Sequence, residues 1–270
     1  MMFFRKKQMK QTNKLKLTKV TLVAVTSVNI TATISAMKYS MRGIDYGDCV
    51  LITHKKPWNL PSTIRYCQVD KIDSIDKFNH FMVYDLWKYI HTDYIMLVHA
   101  DGFVIHPEMW QEEFLNYDYI GAPWPLPNNP VSYRDKYGNI CRVGNSVSLR
   151  SYRLLKLPSE IKMEWKPQPM SDGGVMYNED TFICVANKHI FEEHGMRIAP
   201  LDIAKYFAHE RTIPETIGIT PFAFHKWAGA NKSFPGYYKY IEFVRGILKK
   251  VKGRLIHRTD KRTCNLRRTI

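Results

Sequence analysis

Tyr94-Ile95-Met96-Leu97-Val98-His99-Ala100-Asp101-Gly102 (YIMLVHADG) sets five apolar residues directly before an acidic turn. An unbroken apolar run is what a strand covered on both faces requires, and Asp-Gly behind it ends the strand. Working backward, Val20–Thr26 (VTLVAVT), Asp48–Thr53 (DCVLIT) and Ile64–Val69 read as three more strands. Between the first two, Ile30, Ile34, Met37 and Met41 recur at helical spacing ahead of Gly43, which stands where a helix C-terminal glycine is expected. Ser74 predicts the N-cap of a helix whose apolar face is Ile75, Phe78, Met82, Leu86 and Tyr89. Strand, helix, strand, strand, helix, strand defines an α/β domain with a largely parallel sheet. Ligands bind such sheets beyond the carboxyl ends of the strands, which points to Thr26 with Ser27 and to the turn from His99 to Gly102.

Working forward, the pattern is less regular. Pro107 predicts the first turn of a short helix reaching Tyr117, and Tyr119–Pro125 (YIGAPWP) a strand ending in a rigid turn. A loop from Pro125 to Tyr137 follows, and a helix-like stretch from Glu179 carries Phe182, Ile183 and Ala186.

The 270 residues carry 40 Lys and Arg against 25 Asp and Glu, a net charge of +15. The charge is unevenly placed. Residues 1–19 hold seven basic side chains and no acid, and residues 245–270 hold ten against one, so the body between them has 23 basic and 24 acidic side chains. A neutral body lacks the basic stripe of a nucleic-acid-binding domain, which sets against a polyanion-binding protein on an α/β scaffold, the alternative of another class. Between Tyr238 and Val251, Ile241, Val244, Leu248 and Val251 share one helical face among lysines, a pattern expected of a helix resting on an anionic membrane. The expected organisation is a basic tail (1–19), one domain (20–237) and a basic amphipathic tail (238–270). The composition, 45% hydrophobic and 24% charged, excludes disordered, collagen-like and coiled-coil chains. Five scattered cysteines without a CxxC pair argue against a disulfide framework or zinc ribbon, and Val20–Val28 is too short to span a bilayer. Together these predict a cytoplasmic protein with peripheral membrane association.

Candidate chemistry rests on few positions. Asp101, rigid at a strand end, suits Mg²⁺ or Mn²⁺ shared with substrate phosphates, or caps the turn before Pro107. Glu179-Asp180 offers a general base, or an acidic first turn facing the helix dipole. His225, within Pro221–His225 (PFAFH), is a metal ligand or a packed core histidine. Gly144 and Asn145 could bring backbone amides to a ligand or form an ordinary turn, and Lys77 and Arg150 are phosphate or sugar contacts or solvated charges.

Taken in order, Tyr117–Pro125 (YDYIGAPWP), Val143–Ser151 (VGNSVSLRS), Glu179-Asp180, Ala199–Glu210 and Pro221–His225 resemble a glycosyltransferase-like family known only as a domain of unknown function (DUF5672-like), within the GT-A group of nucleotide-sugar transferases. The resemblance runs from Val20 to Trp227. It implies a GT-A-like sheet and transfer of a sugar from a nucleoside diphosphate sugar to a glycan, lipid-linked or protein hydroxyl acceptor; a base opposite the leaving group would fit single displacement with inversion. It further implies that Asp101, as the last residue of a DxD-type motif, holds Mn²⁺ or Mg²⁺ with His225. Gly144 and Asn145 would lie near donor and acceptor, and Asp180, with Glu179 beside it, would supply the base. Three positions depart from the pattern: His99 stands at the first Asp of DxD, Ser146-Val147 replaces paired glycines, and Ala223 replaces a glycine. A nucleotide-sugar hydrolase using the same residues is the remaining alternative.

Overall fold

The apolar run that opens the chain's regular structure forms β1 (Leu15–Val25), with Val20, Leu22, Val23 and Ala24 wholly buried. The computed structural model describes residues 14–166, 168–169, 175–176 and 178–225. The amphipathic stretch Tyr238–Val251 and most of both tails lie outside them. β1 starts five residues earlier than the sequence suggested. Its first residues set buried Leu17 among exposed Lys16 and Lys19, so the basic residues mask a strand end that pairs parallel with β2 (Ile44–Thr53), with a register shift between Leu17 and Thr21. Part of the stretch 1–19 read as a tail therefore belongs to the sheet, where Lys19 meets Asp93 and Lys14 meets Asp45.

α1 (Ile30–Ser40) buries Ile34 and Met37 against the sheet and gives way to Gly43, whose φ of +72° lies in the left-handed region that glycine adopts freely. After β3 (Arg65–Gln68), the Ser74 hydroxyl accepts the Lys77 N–H (3.1 Å) as the N-cap of α2 (Ile75–Tyr84). This helix ends before Leu86, which is buried in a separate 3₁₀ turn, and leaves Ile75 exposed. β4 (Tyr94–Leu97) completes the parallel half, since β3, β2, β1 and β4 pair parallel in that order. Val23, Val50, Ile52, Ile95 and Leu97 on one face pack with Met82 and Leu86. Truncating one such core side chain to alanine costs about 2–5 kcal/mol.

β5 (Gly102–Val104) leaves this sheet, and the expected helix after Pro107 is two short 3₁₀ turns, Pro107–Met109 and Glu112–Asn116. β6 (Tyr119–Pro123) and β7 (Val143–Ser151) add antiparallel strands beyond β4, giving the order β3-β2-β1-β4-β7-β6. VGNSVSLRS is thus a central strand rather than a loop. Its polar side chains Asn145, Ser148, Arg150 and Ser151 are all buried, and each finds a partner inside. α3 (Tyr152–Glu160) starts at the Ser151 N-cap. A small ribbon of β8 (Gln168–Pro169) and β9 (Val175–Met176) precedes α4 (Glu179–Thr181), which passes through a π-helical turn, Phe182–Ala186, to α5 (Lys188–Glu193). α6 (Leu201–Phe207), β10 (Ala208–His209) and β11 (Ala223–His225) close the described fold, with β11 between β10 and β5 in a second, three-stranded sheet. Among the described residues no helix is long and apolar enough to cross a membrane.

Candidate active site

A cavity of about 440 Å³ opens where the parallel strands end. Thr26, Ser27 and Val28 after β1 form one wall, Asp73, Ile75 and Phe78 another, and His99, Asp101, Ser146 and His225 a third. Of the positions read from the sequence, Thr26, His99, Asp101 and His225 therefore share one chamber of ligand-binding size.

The small sheet assembles the chamber's charged wall. His99 and Gly102 exchange backbone hydrogen bonds (2.7 and 3.3 Å), so Asp101 projects from a tight turn. Gly102 then pairs antiparallel with His225. A Cβ at position 102 would lie 2.6 Å from His225 Cδ2 and 2.5 Å from Val147 Cγ2, so only glycine lets the strands meet this closely. Their meeting puts His225 Nε2 3.7 Å from Asp101 Oδ1. β10 runs beside β11, and Glu210, the residue following β10, brings Oε1 to 3.4 Å from His225 Nδ1. Burial works against a charged imidazole here, but the two carboxylates outweigh it and raise His225 to about 9. Asp101 is held below its ordinary range by His225 against the opposing effect of burial. His99 responds in the opposite direction: burial first, then the His225 cation, lower it to about 4, leaving a neutral ring.

A second charged group lies behind Ser146. Arg150, 0% exposed, donates from Nη2 to Glu179 Oε1 (3.1 Å) and from Nε to Ser148 Oγ (2.8 Å), with its guanidinium over the Tyr119 ring. Ser146 Oγ donates to the same Glu179 oxygen (2.5 Å). Burial would raise Glu179, yet Arg150, Ser146 and His99 together hold it below its ordinary value. Asp180 is pushed up to about 7, by burial and then by the Glu179 charge beside it. Its carboxylate accepts from Asn145 N–H (3.2 Å) and Thr181 N–H (2.8 Å). Asn145 offers that N–H because it adopts φ +84°, a conformation Asn tolerates better than most side chains and one that Val147 avoids.

Several expectations are corrected. Arg150 is neither a substrate contact nor a surface charge but a sealed counter-ion of Glu179. Glu179 is buried in this pairing and held low, while its neighbour Asp180 is pushed up. Gly144 does not belong to a ligand-facing loop; it lies in β7 beneath the Trp124 indole, where a Cβ would come within 2.0 Å of the ring. Asn145 acts through its backbone on Asp180. Lys77 does not itself line the chamber; its ammonium pairs with Asp73 (2.8 Å), a wall residue ahead of α2, and more than half of the Lys77 side chain is exposed. Ser146 and Glu210 were missed as site residues.

The donor set fits a hard divalent cation: a carboxylate and an imidazole 3.7 Å apart, with a second carboxylate on the imidazole's far nitrogen, the usual way of orienting a metal-binding ring. Among the described residues no group of three His, Cys, Asp or Glu side chains forms a ligand set alone.

The fold, a mixed sheet with the chamber at the carboxyl ends of its parallel strands, is similar to that of a solved glycosyltransferase. The galactosyltransferase LgtC, solved in complex with donor and acceptor sugar analogues, superposes with a TM-score of 0.51 at 11% identity, over 82% of this chain and 94% of that one. Weaker similarity reaches TarS of S. aureus (TM-score 0.37, 10% identity, 55% of this chain) and GlyE of Streptococcus pneumoniae TIGR4 (0.41, 11%, 78%); this chain spans only 50% and 55% of their lengths. No curated protein matches the sequence. Residues 62–225 match the family described as Protein of unknown function (DUF5672), and the chain belongs to that family.

Proposed function

We propose that the protein transfers a sugar from a nucleoside diphosphate sugar to a hydroxyl acceptor, using Mn²⁺ or Mg²⁺ held by Asp101 and His225. The observation that carries this reading is the pairing of β5 with β11, which gathers Asp101 and His225 in one wall of the chamber. Asp101 and His225 would hold the ion through two side chains, so that it would also be open to the oxygens of a diphosphate. When bound, the ion neutralises charge on the departing diphosphate. Glu210 orients the His225 ring, and the buried Nε2 of His99, without a hydrogen-bond partner among the described residues, borders the chamber as a further polar contact for the donor.

Asp180 is the base in this reading. The acceptor oxygen bonds to the anomeric carbon, the bond from that carbon to the diphosphate oxygen breaks with its electron pair leaving on the diphosphate, and the acceptor proton passes to Asp180. A carboxyl near 7 accepts that proton at neutral pH, whereas one at its ordinary value is a poorer base. Attack opposite the leaving group gives inversion. The basic tails would hold the enzyme at an anionic membrane presenting a lipid-linked or membrane-proximal acceptor.

Calorimetry of UDP and GDP with Mn²⁺ and with EDTA tests the metal and the donor together. Affinity should require Mn²⁺ in the native protein and be lost in Asp101→Ala. Equal affinity in both buffers removes the metal from the reaction.

A further inference from the structure

Away from the charged chamber, the loop between β2 and β3 exposes the most solvent-accessible large apolar side chain of the described residues, Trp58 at 97%. The loop is not loosely placed. Leu60 N–H returns to Pro57 C=O (3.4 Å), closing a turn with Trp58 and Asn59 at its tip, and Ile64 N–H closes a second turn on Pro61 (3.0 Å). Two exposed lysines, Lys55 and Lys56, precede the tip, and neither has an ion-pair partner among the described residues. Two more exposed apolar side chains stand at the same end of the sheet, at the rim of the chamber they line: Val28 (64%) after β1 and Ile75 (66%) at the start of α2, which follows β3. Three adjacent strands thus send exposed apolar groups to the edge where the chamber opens.

An indole held in water beside unpaired cations fits one environment well. The ring enters the interfacial zone of a bilayer while ammonium groups meet anionic headgroups. A sugar acceptor stacked on Trp58 fits less well. β2 is separated from β7, the strand whose Asn145 holds Asp180, by β1 and β4, three spacings of about 4.8 Å or roughly 14 Å, on the far side of the chamber.

We infer that the Trp58 turn, with Lys55 and Lys56, is a docking surface for an anionic bilayer that presents the open chamber to the membrane. The surface is separate from the basic tails and does not depend on the transferase reading, because none of its three residues lines the chamber.

The test is co-sedimentation of the full chain with protein-free vesicles of phosphatidylcholine alone and of phosphatidylcholine mixed with phosphatidylglycerol. The native protein should pellet with the mixed vesicles. Lys55→Gln with Lys56→Gln should weaken binding by about 25-fold, about fivefold for each lysine near a charged surface. Trp58→Ser should weaken it by about tenfold, in line with one large apolar side chain withdrawn from water, and should remove part of the quenching by brominated lipid. Both variants should keep native nucleoside diphosphate binding. The inference is overturned if both variants pellet like the native chain, which leaves the tails as the whole anchor. It is overturned equally if neutral and anionic vesicles bind alike, if only protein-containing membranes retain the chain, or if Trp58→Ser loses nucleotide binding.

Discussion

His225 and Arg150 each stand among carboxylates, yet the two groups are built for opposite ends. His225, flanked by Asp101 and Glu210, borders the open chamber and carries a proton that can leave. Arg150, bound to Glu179 under Ser146, is sealed and carries a charge that cannot. A removable cation marks a place where a metal ion can take over the same carboxylate field. A permanent one fixes the field around a neighbour, here Asp180. The chemistry of the cation, more than the number of acids around it, separates the two groups: one charge can be exchanged and the other is fixed.

The largest expected effect breaks the permanent group. Arg150→Ala strands Glu179 as an uncompensated buried charge and should cost about 3–5 kcal/mol in urea unfolding. A loss within about 0.5 kcal/mol would mean that the pair contributes nothing and that the two groups are alike.

Asp180→Asn sharpens the contrast by separating chemistry from stability. Transfer should fall by about 10²-fold or more while donor binding persists. Because the folded Asp180 sits near 7 and its ordinary value is 3.8, its stabilising proton is fully held below about pH 4 and lost as pH rises through 7. The Asn variant cannot lose that proton. Its Tm should exceed the native value at about pH 8 and approach it at about pH 4; a parallel shift at both pH values would place Asp180 in an ordinary environment.

Lys77→Ala should do least. Its partner Asp73 is a neighbour on an exposed helix start, so stability should change by less than about 0.5 kcal/mol and nucleotide affinity should stay as it was. A large loss of affinity would return Lys77 to the donor site.

The same contrast explains what could be read beforehand. β1, β4 and the second half of β2 were legible because strands covered on both faces leave unbroken apolar runs, and Ser74 capped α2 as its position predicted. β7 was not, because its buried polar residues imitate a loop until their partners, distant in sequence, are known. Asp101 and His225 were recognisable singly, but their meeting depends on Gly102 pairing with His225 roughly 120 residues later, which no local pattern announces. Glu210 was missed for a related reason: it follows a two-residue strand with no periodicity to mark it. In Glu179-Asp180 the sequence located the pair, and only the buried Arg150 shows that the two carboxyls stand in different electrostatic settings.

Gly102 bears on how the chain can diversify. The missing side chain there and the Val147 methyl draw on one shared volume, with the His225 ring as its third wall. Enlarging position 102 by a single carbon must therefore be answered by a smaller residue at 147 or by displacement of the imidazole. Drift among descendants of this chain is expected to treat 102 and 147 as a coupled pair, so that a change at an inconspicuous strand position far from Asp101 in sequence decides which residues the acidic turn will tolerate.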